Sequence, residues 1–433
     1  MKLKDKILKD TSHLGKKTYV WTILSGTAYA ATTFVLTWLV TIVLGKEGAD
    51  PFNFAYTTGQ LFLTLGFYGM RVFQASDLKQ IYSFEDYWAS RIISCGLMMA
   101  ASVGFILING YDWEKALLIF LVCAYRGFDA VSDVFEALYQ QNGRMDISGR
   151  SSFYKIGAST LGFVAVFLVT KSPLWATFAA LVITIGVWLW FDLPVCRHFA
   201  VLGLPKSTGS LKSLMIACLP LCLGNFLCNY IYSASKFAID QQNLAQGYQT
   251  IFTTLFMPAS VINLFSGFVF KPMVTSLATS WEEKRYKHFN RTLIRLSFLV
   301  LGLTVVAVAG AYFLGIPILS FVYHTDLRDY RLHLLIMIVG GGFSALSTVY
   351  YYVGTIMRRQ KYVMGIYAVV AAVALLLSNP MVRRWELMGA SLAYSLLMLL
   401  MTVLFLLLWA AETKKAYAVL KKEREEANAD PME

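Results

Sequence analysis

Charge is what this chain has least of. Asp, Glu, Lys and Arg make up 15% of its 433 residues, well below the roughly 25% of soluble domains. Together with 57% hydrophobic residues and a mean hydropathy of +0.56, that scarcity excludes an ordinary water-soluble protein. Cysteine is sparse too: Cys95, Cys123, Cys196, Cys218, Cys222 and Cys228 all fall in apolar stretches without the CxxC spacing of a metal site. They read as small hydrophobes. No GxxxxGK[ST] phosphate loop is present, which argues against an ATPase in this chain. A basic domain is also missing, because the formal charge of +12 is dispersed in short clusters between apolar runs. Nucleic acid is therefore not an expected partner, and no cofactor is expected.

What is abundant is apolar runs of about 20 residues, the length that crosses a hydrocarbon layer of roughly 30 Å. Twelve are placed, at 18–44, 53–73, 88–109, 116–139, 153–170, 174–196, 213–233, 247–271, 294–314, 332–357, 362–378 and 388–411. The first is too long for a signal-peptide core and is expected to stay as a span, behind a basic lead at 1–17. An even count puts both termini on one side. Of the 38 Lys and Arg residues, 29 fall on that side, 8 fall on the other, and Arg126 alone lies deep within a span. The positive-inside rule then places both termini in the cytoplasm, in a multi-pass protein of the cytoplasmic membrane. The longest outer loop, about 315–331, leaves no room for a soluble domain.

The expected fold class is all-α, with about twelve transmembrane helices in two halves of six. Pro194, Pro205 and the Gly-Ser-rich stretch 206–210 separate bundles at 18–196 and 213–411 through a cytoplasmic linker at 197–212, and a charged tail follows at 412–433. Such paired halves are common in transporters. A short likeness between Ala55-Tyr-Thr-Thr58 and Gly247-Tyr-Gln-Thr250 opens the second span of each half, but the division rests mainly on hydropathy.

The fourth span carries Arg126, Asp129, Asp133 and Glu136 at offsets 0, 3, 7 and 10, which share one helical face. Arg126 would lie about 15 Å deep, near the midplane, so this face should turn toward protein or water rather than lipid. Two readings stand. In one, Arg126 attracts an anionic head group while the carboxylates tune it or bind a coupling cation such as a proton or sodium. In the other, Arg126 and Asp129 are an internal i, i+3 pair that serves packing, with Asp133 and Glu136 near the cytoplasmic interface.

A second group lies at the outer end of the seventh span. Asn225 and Asn229 share a face, and Lys236 is spaced to pair with Asp240 if that stretch is helical. Hydrogen-bonded packing and substrate contact both suit the two asparagines. Arg71 and Arg91, near the cytoplasmic ends of the second and third spans, read either as snorkelling topology anchors or as substrate contacts. Thr22, Ser25, Tyr29, Thr32 and Thr33 of the first span could line a cavity or pack helices. Pro220, Pro258 and Gly340-Gly-Gly342 interrupt spans and permit either bends or close approach.

These features resemble the polysaccharide-biosynthesis flippases of the multidrug/oligosaccharidyl-lipid/polysaccharide (MOP) exporter superfamily. The resemblance rests on the basic lead into Thr18-Tyr-Val-Trp-Thr-Ile-Leu-Ser-Gly26, on Ser235-Lys-Phe-Ala-Ile-Asp240, and on Phe256-Met-Pro-Ala-Ser-Val-Ile-Asn263 followed by Phe270-Lys-Pro272. It implies two six-helix bundles around a central cavity, whose cations receive the lipid diphosphate of an undecaprenyl-linked oligosaccharide moved from the inner to the outer face by alternating access. Lys236 and Asp240 carry over by that match; Arg126 matches no motif. Membrane lipids are implied partners, as is the glycan polymerase of such a pathway. An enzyme is not expected. The alternatives are a cation-coupled drug exporter of the same superfamily, or a membrane-embedded glycan polymerase, ligase or glycosyltransferase for which Asp326 and Asp329 would be the candidate acids.

Overall fold

A chain this apolar must satisfy its backbone hydrogen bonds internally, and helices do so without partners. The computed structural model describes residues 14–77, 81–203, 205, 207–242, 244, 247–270 and 273–429, and among these there are helices and turns but no strand. Residues 1–13 of the expected basic lead, Lys206 of the linker, Lys271 and Pro272 of the quoted motif and the tail end 430–433 lie outside the described residues.

The first unit contains α1 (Leu14–Phe67), α2 (Met70–Ser76), α3 (Phe84–Asn109), α4 (Trp113–Gln141), α5 (Met145–Thr170) and α6 (Pro173–Val187), the last continued to Cys196 through a π turn at Trp188–Asp192. Then come α7 (Thr208–Gln241), α8 (Tyr248–Phe270), α9 (Val274–Glu282), α10 (Tyr286–Gly310), α11 (Ile316–Tyr323), α12 (Arg331–Ile356) and α13 (Gln360–Ala429). Two of these are double crossings. Gly45 (φ 72, ψ 178) breaks α1 and Glu386 (φ 49, ψ −127) breaks α13. Gly45 adopts a backbone region that a Cβ would disfavour. Eight long apolar segments qualify as spans by length and composition. Counting both broken helices twice and adding α4 and α8, the described residues make twelve crossings.

The connectors are tighter than expected from hydropathy. The second crossing resumes directly after Gly45, where 45–52 reads as a loop, and the eleventh runs on to Trp385, where 379–387 reads as a loop. A helix carries its own hydrogen bonds through the interface, so polar side chains such as Lys46 and Arg383 do not require irregular backbone. The short connector after α12 is a tight turn: Arg358 takes φ 56 and the Arg359 amide donates to the Gly354 carbonyl at 2.9 Å.

By contacts the chain divides into two compact units, Met1–Asn229 and Tyr230–Glu433. That boundary falls inside α7, whereas the expected linker 197–212 covers the connection from α6 and the first turn of α7. The start of α7 belongs with the first unit because Leu214, Cys218 and Cys222 join Tyr87, Phe135, Tyr139 and Cys196 in one buried apolar cluster. In each series of six crossings the fourth is central. Helix α4 packs against α1, α2, α3, α5 and α6, and α12 packs against α8, α9, α10 and α13.

Candidate functional site

Close approach of α1 to α4 builds the site. Gly59 and Gly66 are seven residues apart and share a helical face; a Cβ at Gly59 would lie 2.9 Å from Val122, and one at Gly66 2.9 Å from Met98 and 3.1 Å from Ala130. With no side chain in the way, Gln60 reaches Arg126. Helix starts set the depth of the charges. A capping box between Ser83 and Asp86 begins α3, and Asp112 accepts the Lys115 amide at 3.2 Å to begin α4. Arg91 therefore lies seven residues into α3, about 10 Å along the helix.

Seven ionisable side chains from four helices, α2 to α5, form one network. Arg71 Nη1 donates to Asp133 at 2.7 Å and to Glu136 at 2.9 Å. Arg91 is fully buried and donates to the Gly66 carbonyl at 2.6 Å and to Asp133 at 2.8 Å. Lys155 Nζ lies 3.4 Å from Asp129 and 3.4 Å from Glu136. Arg126 donates to Asp129 at 2.7 Å, through Nε to Gln60 at 2.9 Å and to the Tyr29 hydroxyl at 2.8 Å, and its Nη2 also contacts Gln60. The rings of Tyr29 and Tyr56 each lie 5.4 Å from its guanidinium carbon, close enough for cation–π attraction. Four cations thus meet three carboxylates.

Beside the network is a cavity of about 220 Å³, lined in part by Ser25, Tyr29, Arg71, Asp129, Glu136 and Lys155. Exposure separates the cations. The Arg71 side chain is 37% exposed, whereas those of Arg126 and Lys155 are 3% and 5% exposed. Arg71 lines the cavity and is the most open of these cations, while Arg126 is held by Asp129, Gln60 and Tyr29.

Of the residues singled out from sequence, Arg71, Arg91, Arg126 and Asp129 come together, with Asp133 and Glu136 buried among them. Arg91 does not snorkel. The i, i+3 pair of Arg126 and Asp129 forms as spaced. Ser25 and Tyr29 line the cavity, while Thr32 bonds Thr160 at 2.9 Å and Thr33 bonds Tyr56 at 3.1 Å, both packing roles. Lys236 and Asp240 are half-buried in the second unit, and the Lys236 ammonium lies 5.4 Å from the Phe256 ring centroid. Asn229 bonds the backbone carbonyl of Asn225 at 3.0 Å, with Asn225 exposed. Asp326 and Asp329 are both exposed. Sequence reasoning missed Lys155, Gln60 and Tyr56. The missing signal for Lys155 was the start of α5: the helix begins at Met145 rather than 153, which puts Lys155 ten residues into the helix, about 15 Å along it.

No protein-family model matches the chain, and no curated protein matches it. Solved structures do. An inward-facing multidrug-resistance MATE-family transporter of the MOP superfamily superposes with a TM-score of 0.72 at 10% identity, covering 89% of this chain and 95% of that one. A variant of the Vibrio cholerae MATE transporter VcmN gives 0.58 at 13% identity, over 94% and 98% of the two chains. A MOP-superfamily transporter from Pyrococcus furiosus, whose reversed binding-pocket polarity suggests a different function, gives 0.54 at 13% identity over 96% of each. At such identities the likeness is one of fold, and the fold is that of MOP-superfamily transporters.

Proposed function

We propose that this chain is a membrane transporter for an anionic, lipid-linked cargo, specifically a flippase that moves an undecaprenyl-diphosphate-linked oligosaccharide from the cytoplasmic to the outer face of the cytoplasmic membrane. The observation that carries this reading is the buried network of four cations and three carboxylates, with Arg71 open to a 220 Å³ polar cavity. Buried charge inside a span is costly unless it serves a pathway or a partner. An excess of cations favours an anionic head group, since a diphosphate accepts paired guanidinium donors. The basic bias of the loops puts the α4–α5 turn, nearest the network, on the cytoplasmic side, where such cargo is made. A proton or sodium ion at the carboxylates is the proposed coupling cation, and alternating access lets the lipid tail stay in the bilayer.

One observation favours a second reading. The neighbours in fold include multidrug-resistance transporters, so export of small organic cations driven by a coupling cation is the alternative.

Arg71→Gln tests both. Without Arg71, Asp133 keeps Arg91 and Glu136 keeps Lys155, so the variant should reach parental membrane abundance. In vesicles holding the purified protein, translocation of a polyprenyl-diphosphate oligosaccharide should fall about tenfold or more, as for loss of one charged contact, and Arg71→Lys should recover part of it. Parental translocation by Arg71→Gln would remove the cation from the site. Transport of cationic dyes without glycan translocation would establish the exporter instead.

A further inference from the structure

The second unit has a groove that the proposed transport path does not use. Between α10 and α12 lies a crevice of about 530 Å³, lined by Leu301, Val305, Tyr312 and Phe313 on one side and Val339 and Phe343 on the other. Its floor is the contact of Thr304 with Gly342, where a Cβ on the glycine would lie 2.4 Å from the threonine side chain. The Thr304 hydroxyl is turned away into its own helix, donating to the Val300 carbonyl at 2.8 Å. With that hydroxyl bonded internally, the lining of the crevice is almost wholly apolar, so it is a place for hydrocarbon.

The two helices run antiparallel here. From Leu301 to Phe313 is twelve residues, about 18 Å, close to one leaflet of a roughly 30 Å hydrocarbon layer. Along α12 the same rise separates Phe343 from Arg331. The geometry agrees: the Arg331 guanidinium carbon lies 5.6 Å from the centroid of the Tyr312 ring, so the cation stands at the end of the groove away from its floor. Arg331 is exposed and makes no ion pair among the described residues. A π turn at Ala311–Gly315 puts Tyr312 and Phe313 on the rim. Such turns widen a helix locally and recur at functional sites.

We propose that this groove binds one anionic phospholipid, its acyl chain along the crevice and its phosphate at Arg331. The charge at one end selects an anionic head group, and the leaflet-length apolar crevice selects a single chain. Left without a chain, the groove would be a void whose lining has lost its contacts, and in a bilayer the hydrocarbon at hand is lipid. The site is independent of which cargo the first unit carries.

The test uses the full chain in phosphatidylcholine nanodiscs doped with phosphatidylglycerol, phosphatidylcholine or polyprenyl phosphate, each bearing a photoactivatable group in its hydrocarbon chain. Cross-linked peptides are read by mass spectrometry. Phosphatidylglycerol should label 301–313 and 339–343 about fivefold more than phosphatidylcholine, the effect of one basic residue at an anionic head group. Arg331→Gln should make the two equal, and Arg331→Lys should keep most of the preference. Ala309→Trp, which fills the groove from its exposed face, should remove most labelling by either lipid. Arg331→Gln alters no groove-lining side chain, so it decides the matter even if the tryptophan variant misfolds. Equal labelling by both lipids in the parent, unchanged selectivity in Arg331→Gln, or labelling by polyprenyl phosphate in place of phosphatidylglycerol would overturn the proposal, as would cross-links showing a second copy of the chain seated on this face.

Discussion

Arg126 is the residue whose role depends most on its partners. Its guanidinium is satisfied by Asp129, Gln60 and Tyr29 and enclosed by two tyrosine rings. Asp129 in turn serves two cations, because Lys155 lies 3.4 Å away. The two single deletions are therefore unequal. Arg126→Leu leaves Asp129 paired with Lys155, whereas Asp129→Leu leaves Arg126 without a carboxylate and Lys155 with Glu136 alone. Breaking a buried pair costs about 3–5 kcal/mol and replacing both partners by apolar groups can be nearly neutral. Asp129→Leu should be the least stable of the three variants, Arg126→Leu intermediate, and Arg126→Leu with Asp129→Leu close to the parent. Thermal unfolding and membrane abundance give the order. If the double variant is folded and translocates glycan at the parental rate, Arg126 is a packing residue and the head-group role rests on Arg71 and Lys155.

At the scale of elements, the same device is used twice with opposite chemistry. Helix α4 is central in its unit and carries charge; α12 is central in the other and carries Gly340-Gly-Gly342. Those glycines do not interrupt α12, which is helical throughout Arg331–Ile356. They bring three neighbours close instead. A Cβ at Gly340 would meet Ser395 at 2.6 Å, one at Gly341 the Ala259 carbonyl at 2.7 Å, and one at Gly342 Thr304 at 2.4 Å. Small residues at helix contacts are how membrane bundles gain packing, since lipid offers no hydrophobic drive between helices. Gly341→Ala should lower stability by about 1–3 kcal/mol because backbone atoms at Ala259 cannot yield. Gly365→Ala, on α13 with nothing within 4 Å of the added methyl, should be neutral or slightly stabilising. Equal melting temperatures for the two variants would show that the helices separate freely to admit the methyl.

For the whole molecule, the proposal that both termini are cytoplasmic follows from the distribution of Lys and Arg. Lys46 follows the break at Gly45, Lys115 stands beside the α4 cap, Lys171 ends α5 in the left-handed region and Arg383 precedes the break at Glu386. Lys284 sits in the turn between α9 and α10. In intact cells of a variant lacking the native cysteines, Lys46→Cys, Lys115→Cys, Lys171→Cys and Arg383→Cys should react with an impermeant maleimide. Lys284→Cys should react only after permeabilisation. Outside labelling at position 284 would contradict the expected orientation and with it the proposed direction of transport.

Local chemistry determined the class and the crossings. A bilayer of known thickness rewards about 20 apolar residues in a row, and helices satisfy their own backbone, so run length and charge bias are legible one residue at a time. The common face of Arg126, Asp129, Asp133 and Glu136 is legible for the same reason, being a property of one helix. The tertiary structure decided what that face meets. Arg91 and Lys155 count by position among the cations of the cytoplasmic ends, yet both are buried, and their partners lie 42 and 19 residues away on α4. Hydropathy is a sum along the chain and contains no term for which helix lies beside which. That choice came from close packing at Gly59 and Gly66, which set α1 against α4 and thereby left Arg71, rather than Arg126, open to the cavity.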